Sequence, residues 1–364
     1  KAELDDYKHT LSVNWISTAS YEVEKNFPTK TLTNVTRYTF PINVIKQSPD
    51  VDILESKLPD WILKRLSTSE TDHDPVAYVT RDCFVGSAEV ERIIRLLDRK
   101  SNLILQGAPG TGKTFLARRL AKGIVGEENL DQVEFVQFHQ SYGYEEFVEG
   151  FRPTADGNFE LREGVFTKFC RRAAAQPDLP FVFVIDEINR GNLSRIFGEL
   201  MVLLEGDKRS SEHAMPLAYS GTREDPFFIP SNILVLGLMN TADRSLALVD
   251  FALRRRFAFF NLKPRYNSEK FRSHLEDTGI SKQLSDRIIS MMTKLNNFIA
   301  ERQDLGSGFE IGHSFFCPGE NTILDEDEWF KDIVELEISP LLDEYCIGRQ
   351  QTRNELEEVL RQYC

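Results

Sequence analysis

An eight-residue segment, Gly107-Ala-Pro-Gly-Thr-Gly-Lys-Thr114, limits what this chain can fold into more than any other feature. It fits the pattern G-x-x-x-x-G-K-T/S, and it lies between an apolar run at residues 102–106 and a helical pattern at 114–126. The glycines allow backbone N–H groups to curl around a phosphate, and the N terminus of the following helix favours an anion. We therefore predict a nucleotide-binding loop made by Gly107, Ala108, Pro109, Gly110, Thr111, Gly112, Lys113, Thr114 and Phe115.

The loop requires a second element that holds a metal and prepares a water molecule. Lys113 would reach the β- and γ-phosphates, and the Thr114 hydroxyl would ligate Mg²⁺. An apolar run at residues 181–185 ends in Asp186 and Glu187. Asp186 would hold Mg²⁺ through water, and Glu187 would be the general base that polarises the attacking water. A strand that merely ends in solvated acids is the alternative, but beside a phosphate loop the Asp-Glu pair indicates a hydrolytic motor.

Polar residues also follow the next apolar run, residues 233–239. This run ends in Asn240, whose amide would lie beside the γ-phosphate, which is the sensor position in AAA+ proteins. Three consecutive arginines, 254–256, are costly to bury and are expected to meet anions. We predict that Arg255, with Arg256 second, faces the nucleotide of a neighbouring subunit as an arginine finger, while Arg254 is structural. The alternative is that one or two of them pair with acids at a subunit interface.

The order of predicted elements places the chain in the α/β class. Strands at 102–106, 133–138, 181–185 and 233–239 alternate with helical stretches, which indicates a parallel sheet covered by helices on both faces. We predict an AAA+ P-loop NTPase fold with a β-rich N-terminal remnant and a helical lid, the lid helices lying at 271–276, 281–303, 328–346 and 352–363. The predicted divisions are the tail of a truncated reader module at 1–45, a linker at 46–84, the nucleotide-binding subdomain at 85–263 and the lid at 264–364.

Charge, hydropathy and cysteine content exclude several other classes of protein. The net charge of −13 argues against nucleic-acid binding over the whole surface, although residues 254–272 are basic; the acidic stretch at 320–344 is expected to be a solvated face. No apolar stretch approaches the roughly 18 residues that a membrane span needs. The five cysteines are odd in number and scattered, so we expect reduced thiols in a cytoplasmic protein. The chain opens at Lys1 without a signal-peptide pattern, as expected for a piece of a longer polypeptide.

One loop is more specific than the phosphate motif. Met239-Asn-Thr-Ala-Asp-Arg-Ser245 resembles the signature loop of the McrB family, the AAA+ motors of modification-dependent restriction systems. The stretch at 7–16 is similar to the closing strands of PUA-like modules of the EVE kind, which read flipped modified bases, although any β-rich tail is an alternative. Flanking segments agree with the McrB family over about residues 85–350, namely 137–142, 146–153, 186–190, 192–199 and 312–315.

This resemblance implies a homohexameric ring that hydrolyses GTP, with ATP as the alternative, and that uses Mg²⁺. It also implies an McrC-type endonuclease that stimulates hydrolysis near the signature loop, together with DNA translocation and cleavage. By the same family pattern, Asn240, Asp243 and Arg244 position or activate the water, with Asn189 and Arg190 close by. The alternative for this loop is a turn whose Asp and Ser cap a helix. The guanine preference rests on the resemblance alone, since the chain has no Asn-Lys-x-Asp motif.

Two histidines and one predicted insert each have more than one interpretation. His139 is expected to fix a hydrogen bond at a strand end, and His313 is a candidate nucleotide contact at the start of the lid. Residues 154–166 predict a hairpin-like insert that faces the pore or a partner, in which Phe159 and Phe166 are expected to pack rather than to stack on DNA. Two other functions stay possible, an ATP-driven MoxR-like remodeller of protein assemblies and a nucleotide-dependent DNA-binding scaffold.

Overall fold

The computed structural model describes residues 74–220, 226–243, 251–318 and 325–363. The chain divides into two units, Lys1–Asp72 and His73–Cys364, and every described residue belongs to the second. The predicted reader remnant at 1–45 and most of the predicted linker therefore lie outside the described residues. The same is true of Arg244 in the signature loop and of part of the acidic stretch.

Seven strands are described: β1 (Asn102–Gly107), β2 (Val133–Gln137), β3 (Glu149–Pro153), β4 (Phe159–Glu163), β5 (Phe181–Asp186), β6 (Ile233–Asn240) and β7 (Ala258–Leu262). Five of them form a parallel sheet in the order β2-β5-β6-β1-β7. The central strands β1, β5 and β6 are apolar runs buried along most of their length, as a sheet covered on both faces requires. The four predicted strands are confirmed; β7 was not predicted, because its five residues directly follow the basic run.

Helices cover both faces of this sheet. The helices of this part of the chain are α1 (Pro75–Asp82), α2 (Ser87–Lys100), α3 (Lys113–Val125), α4 (Tyr144–Phe147), α5 (Val165–Ala174), α6 (Leu193–Phe197), α7 (Leu200–Leu203) and α8 (Phe251–Arg254). The helices predicted at 88–100 and 114–126 correspond to α2 and α3. Helix α1 lies in the segment predicted as a linker. Its start is fixed because the Asp74 side chain accepts a hydrogen bond from the Val76 N–H at 2.9 Å and Pro75 occupies the first turn.

Strand β5 shows how the two faces of the sheet are packed. Its alternate residues Phe183 and Ile185 belong to a core rich in aromatic side chains, which includes Phe147 and Phe166. The intervening Val182 and Val184 belong to a second, aliphatic core built with α1, α2 and α3. Because successive side chains of a strand point to opposite faces, the two cores define a three-layer α/β/α arrangement. The predicted fold class is thereby confirmed.

The C-terminal part is a helical subdomain with its own core, formed by α9 (Glu269–Asp277), α10 (Lys282–Glu301), α11 (Glu326–Asp332), α12 (Ser339–Tyr345) and α13 (Gln350–Arg361). Ser268 and Ser281 cap α9 and α10 by accepting backbone N–H groups. A π-helical segment, Ile333–Ile338, joins α11 to α12, so the single helix predicted at 328–346 is interrupted. The buried residues include Phe271, Ile288, Met291, Leu295, Phe316 and Phe330.

Strands β3 and β4 form a separate antiparallel hairpin. The hairpin therefore spans residues 149–163 and not the predicted 154–166. Phe166 lies beyond it in α5, where it is fully buried, whereas the Phe159 residue is 71% exposed. The expectation that both rings pack is confirmed for Phe166 and wrong for Phe159, because Phe159 lies beside the turn that connects the two strands, where it is left exposed.

Two further expectations concern the membrane and the cysteines. Across the described ranges, no helix combines the length and the apolar character that crossing a membrane requires. Cys83, Cys170, Cys317 and Cys346 all carry free thiols. Burial raises the pKa of Cys83 and of Cys317 to about 12, which makes both thiols poor nucleophiles.

Candidate nucleotide-binding site

The predicted phosphate loop connects β1 to α3. Gly112 caps the N terminus of α3 with φ of 78°, a left-handed conformation that glycine adopts without strain. The Lys113 side chain is buried, and its Nζ donates hydrogen bonds to the carbonyls of Gly107 and Ala108 at 3.0 and 2.9 Å. Burial lowers the pKa of Lys113 to about 8, against the opposing effect of the Glu187 and Asp186 carboxylates. The amine is thus held at the loop, largely out of water.

A hydroxyl and a carboxylate meet where the predicted metal site lies. Thr114 Oγ1 donates a hydrogen bond to Asp186 Oδ2 at 3.3 Å, and Asp186 Oδ1 accepts the Glu187 N–H at 3.0 Å. The carboxyl ends of β1 and β5 lie at one edge of the sheet, which brings the two side chains together although β6 separates their strands. Hard oxygen donors of this kind fit Mg²⁺, which takes one or two protein ligands and completes its shell with water and phosphate.

Both carboxylate oxygens of Glu187 accept hydrogen bonds. Asn240 donates from Nδ2 to Oε1 at 2.8 Å, and Arg190 donates from Nε to Oε2 at 3.0 Å. Arg190 also lies 3.5 Å from Asp243 Oδ2, so it joins the carboxylate to the signature loop. The backbone of Glu187 is left-handed, with φ of 52°, which costs a non-glycine residue about 1–3 kcal/mol and points to an over-determined local geometry.

Three further residues of the predicted site lie near the phosphate loop or the acidic pair. Asn189 is buried in the short helical turn after Glu187, and its Oδ1 accepts no hydrogen bond within the described ranges. Asn240 lies opposite Gly107 in the β1–β6 register, next to the phosphate loop. Phe115 is 48% exposed, with the Arg119 guanidinium 5.3 Å from its ring centre. These positions are compatible with the predicted roles, which stay predictions.

The arginine run separates into a buried and an exposed part. Arg256 is 7% exposed, and its guanidinium lies 2.9 Å from Glu205 Oε1. Arg255 contacts the same oxygen at 2.6 Å, yet 66% of its side chain is exposed. Arg254 is exposed as well. Arg254 and Arg255 are therefore presented at the surface, where a neighbouring subunit could be reached, whereas Arg256 is paired inside this chain; which of the three acts as the finger stays a prediction.

The two histidines differ in their surroundings. His139 is exposed, and its Nδ1 shares a hydrogen bond with Ser141 Oγ at 2.9 Å. His313 is buried, and its Nδ1 accepts the Arg265 backbone N–H at 3.1 Å. Burial first, and then the charge of Arg265, lower the pKa of His313 to about 4. The imidazole is therefore neutral near pH 7 and does not supply the positive charge of a sensor arginine.

Two contacts at this site go beyond what the sequence predicts. Arg190 was expected only close by, whereas it contacts both Glu187 and Asp243. The segment at 312–315 fits a family pattern and His313 was expected near the nucleotide, but the direct backbone contact of Gly312 and Ser314 with the phosphate loop was not predicted. The contacts of Arg190 with Asp243 and of the segment at 312–315 with the phosphate loop join residues far apart in the chain, and no local pattern encodes them.

Two family models match separate parts of the chain. The family model of the AAA domain, dynein-related subfamily, matches residues 102–257. The model of the McrB alpha-helical lid domain matches residues 287–354.

Two curated relatives are restriction proteins. The chain is 45% identical over 279 residues to the Type IV methyl-directed restriction enzyme EcoKMcrB subunit of Escherichia coli K12, across 76% of this chain and 61% of that protein. It is 27% identical over 224 residues to the Type II restriction enzyme BsuMI component YdiS of Bacillus subtilis 168, across 52% of this chain and 63% of that protein. The chain thus spans less than two thirds of the length of either relative.

A solved structure from Cytophaga hutchinsonii is 16% identical with a TM-score of 0.38, covering 70% of this chain and 72% of that chain, which is too distant a likeness to support any inference.

The parallel sheet, the phosphate loop after β1, the acidic pair after β5 and the helical lid together define an AAA+ P-loop NTPase. Within this class, the lid model and the similarity to the Escherichia coli subunit are specific. The chain belongs to the McrB family.

Proposed function

We propose that this chain is the nucleotide-hydrolysing motor of a modification-dependent restriction system. One observation carries the proposal: Glu187 and Asn240 are joined at 2.8 Å beside the loop that holds Lys113 and beside the Thr114–Asp186 pair. A general base, a sensor amide, a phosphate-binding lysine and a metal site are the parts that a phosphoryl-transfer site needs. The relatives' descriptions as restriction-enzyme components support the biological setting.

Each residue of the site would have a separate role in nucleotide hydrolysis. Backbone N–H groups of residues 107–114 and the Lys113 amine would bind the β- and γ-phosphates. Thr114 and Asp186 would hold Mg²⁺, which neutralises charge on the phosphate oxygens. Glu187 would accept a proton from the attacking water, because each of its carboxylate oxygens accepts one hydrogen bond here and has a second lone pair that a water can use. Asn240 would then orient the water by its amide.

The signature loop and its neighbours would control this step. Asp243 lies 3.5 Å from Arg190, and Arg190 in turn contacts Glu187. A partner that moved Asp243 would therefore act on Glu187 through one intervening side chain. Arg244, outside the described residues, and the buried Asn189, whose Oδ1 accepts no hydrogen bond from the part of the chain that the structure describes, are proposed to complete the water-positioning set.

The assembly that we propose is a homohexameric ring. Its support is the family membership together with the exposed Arg255, which is suited to reach the nucleotide of a neighbouring subunit. We further propose GTP as the nucleotide, an McrC-type endonuclease as the stimulating partner, and DNA as the translocated substrate, contacted mainly through an N-terminal reader. Cytoplasmic localisation is part of the same proposal.

Steady-state hydrolysis of GTP and of ATP, with and without the McrC-type partner, tests this function. GTP-selective turnover that rises sharply with the partner is the expected result. ATP turnover that ignores the partner would instead place the protein among MoxR-like remodellers. Nucleotide binding without turnover under any condition would favour the DNA-binding scaffold, and in that case the motor proposal fails.

A further inference from the structure

A short lid segment, Gly312-His-Ser314, lies directly on the phosphate loop. The Gly312 N–H donates to the Pro109 carbonyl at 2.9 Å, and the Ser314 N–H donates to the Gly110 carbonyl at 2.9 Å. These are backbone contacts between two elements about two hundred residues apart in the chain. We call residues 312–314 the docking segment.

The approach at Gly312 is closer than any other residue type permits. A Cβ atom built there would lie 1.8 Å from the Gly110 carbonyl carbon and 2.3 Å from the Thr111 nitrogen. Both are backbone atoms, so no side-chain rotation relieves the overlap. A residue other than glycine at 312 must therefore move the docking segment away from the phosphate loop, or move the loop itself.

The two hydrogen bonds fix the orientation of peptide groups that matter for phosphate binding. In a planar trans peptide, the C=O and the following N–H point in opposite directions. With the Pro109 carbonyl held by the lid, the Gly110 N–H points away from the lid. With the Gly110 carbonyl held likewise, the Thr111 N–H also points away. These two N–H groups belong to the loop that cradles the anion, so the lid sets the direction of two phosphate-binding donors.

The docking segment is itself firmly anchored. The Tyr266 hydroxyl donates to the Gly312 carbonyl at 2.6 Å, and His313 Nδ1 accepts the Arg265 N–H at 3.1 Å. Asn296 makes two hydrogen bonds to the backbone of Ile311, at 2.9 and 2.7 Å. The low pKa of His313 agrees with its acceptor role, since Nδ1 must stay unprotonated. The segment therefore acts as a fixed surface, not as a loose loop.

We propose that Gly312 and Ser314 are positioning residues for nucleotide binding, because they hold the phosphate loop with its Gly110 and Thr111 N–H groups facing the phosphates. Lid docking and phosphate binding then stabilise each other, since each favours the same loop conformation. This inference rests on the nucleotide-binding role proposed above. It adds a specific coupling between the lid and the loop.

The test compares two glycine substitutions in the full chain. Gly312→Ala introduces the backbone overlap, whereas Gly308→Ala, four residues earlier, meets only Thr241 at an ordinary 3.4 Å. The measurement is the Kd of a fluorescent GTP analogue with Mg²⁺, together with the melting temperature of each variant. We expect Gly312→Ala to weaken binding about tenfold or more while it remains folded, and Gly308→Ala to bind within about twofold of the parent.

A milder variant covers the case in which Gly312→Ala fails to fold. Tyr266→Phe removes one anchoring hydroxyl and is expected to weaken binding several-fold without loss of the folded state. In the parent chain, hydrogen exchange at the Gly312 and Ser314 amides should slow when the analogue binds, which a purely structural role would not produce.

The outcomes separate the two proposals. A parent chain that binds neither GTP nor ATP contradicts the proposed function. A parent that binds, beside a folded Gly312→Ala variant of equal affinity, contradicts this inference alone. Equal losses in Gly312→Ala and Gly308→Ala would also overturn it, because the effect would not come from the close contact.

Discussion

The Nδ2 amide of Asn240 donates a hydrogen bond to Oε1 of Glu187 across 2.8 Å. Asn240 ends β6 and Glu187 follows β5, and these strands are neighbours in the sheet. The two side chains therefore meet at the carboxyl edge of the sheet, where parallel α/β proteins bind ligands. This contact links the proposed general base to the proposed sensor and leads to the first two predictions.

Glu187→Gln is expected to keep nucleotide binding and subunit assembly and to lower turnover by about 10²–10⁴-fold. The amide has nearly the same shape as the carboxylate, but it does not accept a proton from water. Parallel measurements of nucleotide Kd, of particle size and of kcat check this result. Loss of binding in this variant would mean that Glu187 is not the general base.

Asn240→Asp replaces the donor amide with a second negative charge beside Glu187. We expect kcat to fall by about 10²-fold or more, because the donor that orients the water is lost and like charges repel across a short distance. The Kd of the nucleoside diphosphate should change much less, since Asn240 is expected beside the γ-phosphate and is not part of the phosphate loop. An equal effect on Kd and kcat would assign Asn240 to binding instead of water positioning.

Nucleotide affinity should fall as the pH rises through about 8, the pKa to which burial lowers Lys113 in the nucleotide-free protein. The neutral amine formed above this pH attracts phosphates less, so binding must take up a proton there. Titration calorimetry in buffers of different ionisation enthalpy, held just above that pH, measures the proton uptake. Lys113→Ala should bind weakly and abolish the uptake, whereas unchanged uptake in that variant would assign the proton to another group.

The same pKa has a consequence for stability. The folded-state pKa of Lys113 lies below its unfolded value of about 10.4, so between these values the unfolded chain binds more protons. Lys113 should therefore increase the free energy of unfolding of the nucleotide-free protein as the pH rises across this window. Denaturant titrations of the parent and of Lys113→Met, compared across the window, check the sign. If the difference in free energy of unfolding between the parent and Lys113→Met falls as the pH rises, the lowered pKa of Lys113 is contradicted.

Arg255→Ala and Arg256→Ala should fail in different ways. Arg255 is largely exposed, so its loss is expected to leave Tm unchanged and to reduce turnover by about 10³-fold or more if it acts as a trans finger. Arg256 is buried against Glu205, so its loss should cost roughly 1–3 kcal/mol of stability by leaving buried polar groups unpaired. Thermal melting and turnover of both variants separate these effects. Normal turnover in Arg255→Ala would remove it as the finger.

Local patterns were enough to predict much of the nucleotide-binding part. Strand β1, the glycine loop and α3 are consecutive in the chain, and each has a clear pattern of apolar, glycine or helical residues. The acidic pair after β5 was predicted for the same reason, as was Asn240 after β6. Parallel strands aligned in one sheet bring their carboxyl ends together, so even the meeting of Thr114 with Asp186 followed from the order of elements.

Other features depended on contacts that no local pattern encodes. Arg254, Arg255 and Arg256 are chemically alike in the sequence, and only tertiary packing decided which is buried: Arg255 and Arg256 both pair with Glu205, yet only Arg256 is buried. Strand β7 was hidden by the basic run before it, because its five residues become a strand only by pairing with β1. The exposure of Phe159 and the burial of Phe166 were likewise decided by where the hairpin ends.

The sequence by itself determined the fold class, the phosphate loop, the acidic pair and the family of this protein, because short runs of residue types fix local backbone structure and local chemistry. The tertiary structure alone decided that Arg190 bridges Glu187 and Asp243, and that Gly312 rests on the phosphate loop. The Arg190–Asp243 and Gly312–Pro109 contacts join residues far apart in the chain, and their geometry depends on how the elements pack, which no spacing along the chain records.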